Sequence, residues 1–165
     1  MLVFEGLDTH ADVFLNGSRI LQPQNMFVGH KISVKNSLQA GENKLYIRFY
    51  SPLKLMEPAR LTAGYEYPAG NDHSDKKVSI FNRKAPYQFG WDWGIRIVQM
   101  GIWKPVSLQF YNQACIDNLY VKQLSVSKDQ ALTDNQIEIL STSEIPVKIV
   151  TGAVFNDREI QTTVS

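Results

Sequence analysis

The chain has 165 residues, with 17 Lys plus Arg against 16 Asp plus Glu, a formal net charge of +1 that lacks the strongly basic footprint of a nucleic-acid binder. Hydrophobic residues make up 44% and charged residues 20%, ordinary globular usage that argues against long disordered tracts. The length suits one large or two small domains, the single Cys115 forbids an internal disulfide, and no apolar run reaches the roughly 18 residues of a membrane span.

The opening LVFEGL, residues 2–7, has no basic n-region and reads as a strand, so any export signal is expected outside this chain. In ADVFLNGSRI the Asn16-Gly17 pair between extended runs is a hairpin signal. A strand is expected near 26–34. In KLYIRFY, Leu45, Ile47 and Phe49 alternate with Lys44, Tyr46, Arg48 and Tyr50, the period of a half-buried strand.

From about Ser51 to Ile102 the rhythm fails. Pro52, Pro58, Pro68 and Pro86 and Gly64, Gly70, Gly90 and Gly94 punctuate some fifty residues, with one short strand expected at 78–82 and no convincing helical stripe. So long an excursion in a compact domain points to function. Val106, Leu108 and Phe110 then alternate with polar partners, and strands follow near 116–126, 136–141, 146–155 and 158–164. All three Trp and seven of the eight Phe precede residue 112. The composition shift divides the chain into 1–112 and 113–165, and some fifty residues is short for a whole immunoglobulin-like sandwich of about 100. The class expected is all-β, antiparallel, sandwich or barrel.

The densest chemistry is RKAPYQFGWDWG, residues 83–94, where Tyr87, Phe89, Trp91 and Trp93 surround the carboxylate of Asp92. Sugar recognition uses such parts: an indole packs on the apolar C–H face of a pyranose, and one carboxylate accepts from two vicinal hydroxyls. The same aromatics would equally plug one end of a sandwich, with Asp92 capping a turn. His73 with Asp72 and Asp75 offers metal ligands but reads better as a solvated loop. His10 and His30 have no nucleophile placed beside them, and Glu42, Glu57 and Glu66 cannot be paired as acid and nucleophile from sequence. No Gly-rich phosphate loop is present, and no cofactor or metal is called for.

The run RKAPYQFGWDWGIRIVQMGIWKPVSLQFY, residues 83–111, resembles the segment that closes the N-terminal sugar-binding jelly roll of glycoside hydrolase family 2 β-mannosidases. ADVFLNGSRI, NMFVGHKISV and LQAGENKLYIRFYSPL are similar to the strand–turn pattern of that domain, and IDNLYVKQLSVS resembles the opening of the immunoglobulin-like domain that follows it. The jelly-roll pattern is shared with β-galactosidases and β-glucuronidases, whereas FGWDWG favours the β-mannosidase branch.

The resemblance implies an antiparallel jelly roll of galactose-binding type, its first part missing, followed by a truncated immunoglobulin-like sandwich. It also implies a parent retaining hydrolase acting on terminal β-mannosyl residues, whose two catalytic glutamates lie in a (β/α)₈ barrel absent here; the fragment itself is expected to be inactive, with no catalytic residue. Asp92 matches the motif carboxylate that reaches into the barrel pocket and binds sugar hydroxyls. Trp91 and Trp93 match the two indoles, and in an extended segment they would point together, away from Asp92, as supporting residues. Arg83 matches the Arg of the motif's RK pair and is expected to orient Asp92 by a charge-assisted bond. Ile95 departs from the family's Pro, adding an N–H and freeing φ. The partners implied are terminal β-mannosyl residues and the parent's own barrel, without nucleic acid or membrane. Exported members of the family favour a periplasmic or secreted setting. A free-standing carbohydrate-binding module, another family 2 hydrolase and a structural tandem sandwich are the competing readings.

Overall fold

The computed structural model describes residues 1–155 and 158–164. The chain divides into two compact units, Met1–Phe110 and Tyr111–Ser165.

The first unit contains β1 (Leu2–Phe4), β2 (Leu7–Asp8), β3 (Ala11–Leu15), β4 (Ser18–Leu21), β5 (His30–Ile32), β6 (Leu45–Phe49), α1 (Pro52–Ala63), β7 (Gly101–Ile102) and β8 (Val106–Leu108). Its sheets are antiparallel throughout. β1 lies between β5 and β8, β3 lies between β4 and β6, and β2 pairs with β7. Leu2 and Phe4 of β1 meet Val13 and Leu15 of β3 in one core with Leu7 and Val34, against which Ile47 and Phe49 of β6 pack. Phe4, Leu7 and Val13 are wholly buried, each contributing about 1.5–3 kcal/mol by removal from water. This is an all-β sandwich, as the alternation requires.

The β3–β4 hairpin turns at Asn16 (φ 50°) and Gly17 (φ 83°), with Leu15 opposite Ser18. That two-residue turn with both φ positive is what Asn-Gly encodes. The Asn16 side chain also donates to Ser37 O and Asn43 Oδ1 and accepts from Lys44 N, tying the turn to the start of β6.

Three local expectations are corrected. A helix, α1, occupies the excursion that has no apolar stripe. Ser51 caps it by accepting from Lys54 N, Pro52 opens it, and Gly64 (φ 64°) ends it. Its less exposed positions, Leu53, Met56, Glu57 and Arg60, have helical spacing, but two of the four are charged, which hides the period from a hydrophobicity reading. Residues 79–81 form a 3-10 turn rather than a strand, because Phe81 N and the Asn82 side chain both donate to Val78 O. The strand expected over 26–34 shrinks to His30–Ile32: Met26 N bonds Arg83 O and Met26 O accepts the indole N–H of Trp103, so that residue is committed to the excursion.

The second unit comprises two antiparallel hairpins. β9 (Ala114–Val126) pairs with β10 (Ala131–Ser141), with register irregularities at Leu132/Thr133 and Glu138/Ile139, and β11 (Ile149–Phe155) pairs with β12 (Arg158–Val164). Ser127 holds the first turn through bonds from Asp129 N and Gln130 N. Ile116, Leu119, Val121, Ile137 and Ile149 line a cleft in this unit, and none of residues 111–154 is buried.

Candidate functional site

The segment 83–94 leaves the sandwich on a buried polar anchor. Lys84 Nζ bonds both carboxylate oxygens of Asp8 in β2 and also donates to Gln99 O at 2.7 Å. Thr9 Oγ1 and Gln88 Nε2 donate to the same carboxylate, and Gln88 Oε1 accepts from Gln99 N at 3.0 Å. The Lys84 side chain is fully buried, and desolvation pushes its ammonium below the ordinary lysine pKa while the bond to Asp8 pulls the other way. A buried charge survives only when so partnered.

Gln88 and Phe89, both buried, belong to a 3-10 turn over Pro86–Phe89. Gly90 follows with φ 130°, and a Cβ there would lie 2.8 Å from both Asn71 O and the His73 ring. Only glycine fits, because the loop 69–79 closes directly against it. That loop is fixed in turn by Asp72, whose buried carboxylate accepts from Ser74 Oγ, Ser79 N and Arg96 Nε. Arg96 also lies 6.0 Å from the centroid of the Phe89 ring. Asp72 therefore braces the loop, and the described residues bring no three His, Cys, Asp or Glu side chains together as a metal-ligand group.

Beyond Gly90 the chain makes a tight turn rather than an extended strand: Gly94 N bonds Trp91 O at 3.1 Å, with Asp92 and Trp93 at the corner. Asp92 is exposed and has no hydrogen bond or ion pair among the described residues. Trp91 and Trp93 meet edge to face, ring centroids 5.7 Å apart at 79°, and are 38% and 85% exposed. Trp93 supports no core, whereas Trp91 is mostly covered, and both sit in a turn rather than in the extended segment expected. Arg83 is exposed and forms no ion pair with Asp92; its carbonyl holds Met26, and the cation of the RK pair that binds a carboxylate is Lys84. Ile95 is 77% exposed.

Among the histidines, His10 Nε2 contacts Asn82 Oδ1 at 2.9 Å in the interior, and burial lowers the His30 imidazole from its ordinary value. The partners that sequence reasoning missed are Asp8, Gln88 and Lys84. Asp8 lies in the short strand β2, and only its distance from the excursion in sequence concealed the link. What results is an exposed carboxylate with two free oxygens and an indole pair on a two-point mount, chemically suited to accept from paired hydroxyls while presenting aromatic faces to C–H surfaces.

Residues 1–104 match the family model described as glycosyl hydrolase 2 galactose-binding domain-like. The chain is 32% identical over 156 residues to a Beta-mannosidase B of Thermothelomyces thermophilus, covering 87% of this chain and 16% of that protein. It is 38% identical over 117 residues to a Beta-mannosidase B of Emericella nidulans, covering 70% of this chain and 14% of that one. The crystal structure of a β-D-mannosidase from Dictyoglomus thermophilum superposes with a TM-score of 0.86 at 34% identity, over 99% of this chain and 20% of that one. The chain thus spans a fifth or less of each of these relatives.

Proposed function

Since the chain belongs to the glycosyl hydrolase 2 galactose-binding domain-like family, we propose that it lends Asp92 to the active site of a β-mannosidase-like hydrolase whose catalytic carboxylates lie in another domain. The observation that carries this reading is Asp92 itself: a carboxylate without a partner, held in the open between two indoles on an arm whose base is buried and braced. Evolved interiors satisfy carboxylates and loops solvate them, but a loop mounted this rigidly supports a positioned ligand contact. The substrate class is terminal β-mannosyl residues, in line with the printed names of the relatives.

In such an enzyme one carboxylic acid protonates the leaving oxygen and a second attacks the anomeric carbon, and this chain does neither. Its part is to accept hydrogen bonds from sugar hydroxyls, fixing the ring for attack, with the gain counting toward rate only where those bonds strengthen in the transition state. Residues 1–112 act as the sugar-binding jelly roll, and 113–165 as the start of an immunoglobulin-like sandwich.

The test is substrate selectivity of the full-length protein on aryl glycosides. Hydrolysis of the β-mannoside at least 100-fold more efficient than of the β-galactoside or β-glucuronide is the expected result. A preference for either of the latter would move the chain to another branch of the family.

A further inference from the structure

A cleft of about 230 Å³ lies beyond the end of α1, between Arg60, Tyr65, Tyr67 and Phe81, and it shares no lining residue with the Trp91–Gly94 turn. Tyr67 meets Tyr65 edge to face at 5.1 Å and Phe81 at 5.9 Å, so the three rings form a connected wall. Tyr65 leaves that wall 64% exposed. The Arg60 side chain makes no hydrogen bond or ion pair among the described residues, and its Nε–H is buried without an acceptor. A buried donor left unmatched is costly, and Arg60 is one of the residues that line the cleft.

The remaining charges narrow the ligand. Lys77 is paired with Glu66 at 3.2 Å, and Asp75 is exposed and unpaired, so the two cations of the lining are balanced by two anions. An anionic or cationic ligand gains little from such a lining, whereas a neutral one bearing several hydroxyls finds donors, acceptors and an aromatic wall together. The volume equals roughly eight waters at about 30 Å³ each, room for one sugar ring and not for a drug-sized ligand.

We propose that this cleft is a second saccharide site, holding one neutral hexopyranose unit with Arg60 donating to its hydroxyl oxygens, Asp75 accepting from a hydroxyl and Tyr65 covering a C–H face. The choice of a saccharide rests on the glycosidase reading above; the unmatched Arg60 and the cleft do not.

The test is calorimetric titration of the full-length protein with mannotriose in an Asp92→Ala background, which removes the contribution of Asp92. Saturable binding at millimolar sugar is expected to persist there and to weaken about tenfold on adding Arg60→Gln or, separately, Tyr65→Ala. Tyr65 is largely exposed, so its variant decides the matter even where the Arg60 change disturbs the fold. Isotherms unaltered by both changes, or no saturable binding in the Asp92→Ala background, overturn the second site while leaving the role of Asp92 to its own assay. Conversely, hydrolysis that ignores Asp92 removes the first reading and leaves this titration interpretable.

Discussion

Lys84 Nζ sits against both carboxylate oxygens of Asp8, 76 positions away in the chain, and neither side chain is open to water. This pair joins the first core strands to the segment that carries Asp92. Removing Lys84 leaves the Asp8 carboxylate buried without a counter-charge, so Lys84→Ala is expected to destabilise the chain by about 3–5 kcal/mol. The double change Asp8→Asn with Lys84→Met should recover a large part of that loss. Denaturant unfolding of the two variants checks both statements, and equal losses in the single and double variants would contradict them.

Gly90 gives a second stability prediction. Its φ of 130° is unfavourable for any side chain, and the new Cβ would meet backbone Asn71 O at 2.8 Å, which cannot swing aside as a side chain can. Gly90→Ala is expected to cost about 1–3 kcal/mol. Gly70→Ala, where nothing stands within contact distance and φ is unremarkable, should change stability by less than about 0.5 kcal/mol in the same unfolding experiment.

His30 supplies a pH dependence. Its Nε2 is buried without a partner, and desolvation lowers the folded imidazole below 6.5. Below 6.5 the unfolded chain therefore binds the proton more readily than the folded one, so this residue makes stability fall as the pH drops from 7 toward 5. Replacing it by Gln should gain stability relative to the native chain on acidification, by at most about 1.4 kcal/mol per pH unit, the limit for one proton. Thermal melts of both proteins across that range are the check, and a Gln variant that loses stability relative to the native chain on acidification contradicts the assignment.

Trp93 separates function from folding. At 85% exposure it supports no core, so Trp93→Ala should leave the unfolding free energy within about 0.5 kcal/mol of the native chain. On the proposed reading the same change lowers β-mannoside hydrolysis by the full-length protein about tenfold or more, the worth of roughly 1.4 kcal/mol of lost aromatic contact. Unchanged hydrolysis would place the indole outside the pocket.

How much of this the sequence discloses depends on whether the signal is local. The strand Leu45–Phe49 and the Asn16-Gly17 turn are local backbone preferences and both form, although Leu45 is exposed and only Ile47 and Phe49 of the alternating set pack on the core. The helix Pro52–Ala63 escapes a hydrophobic-period reading because Glu57 and Arg60 share its less exposed stripe, although Ser51-Pro52 and Gly64 mark its ends. The motif around Asp92 is visible as composition, but its turn is not. Period-two reasoning assumes an extended chain, and the Trp91–Gly94 bond replaces that chain with a corner that exposes both indoles. Lys84 and Arg83 are equivalent by type, and only the position of Asp8 in the fold selects Lys84 as the buried partner.

The most direct measurement is kcat/KM of the full-length protein for an aryl β-mannoside before and after Asp92→Ala, with the melting temperature recorded alongside. A carboxylate that grips sugar hydroxyls more tightly in the transition state predicts a fall of at least 100-fold, about 2.7 kcal/mol, at unchanged melting temperature, because the exposed side chain bonds nothing within its own unit. A fall of less than tenfold would contradict the assignment of Asp92 to the substrate.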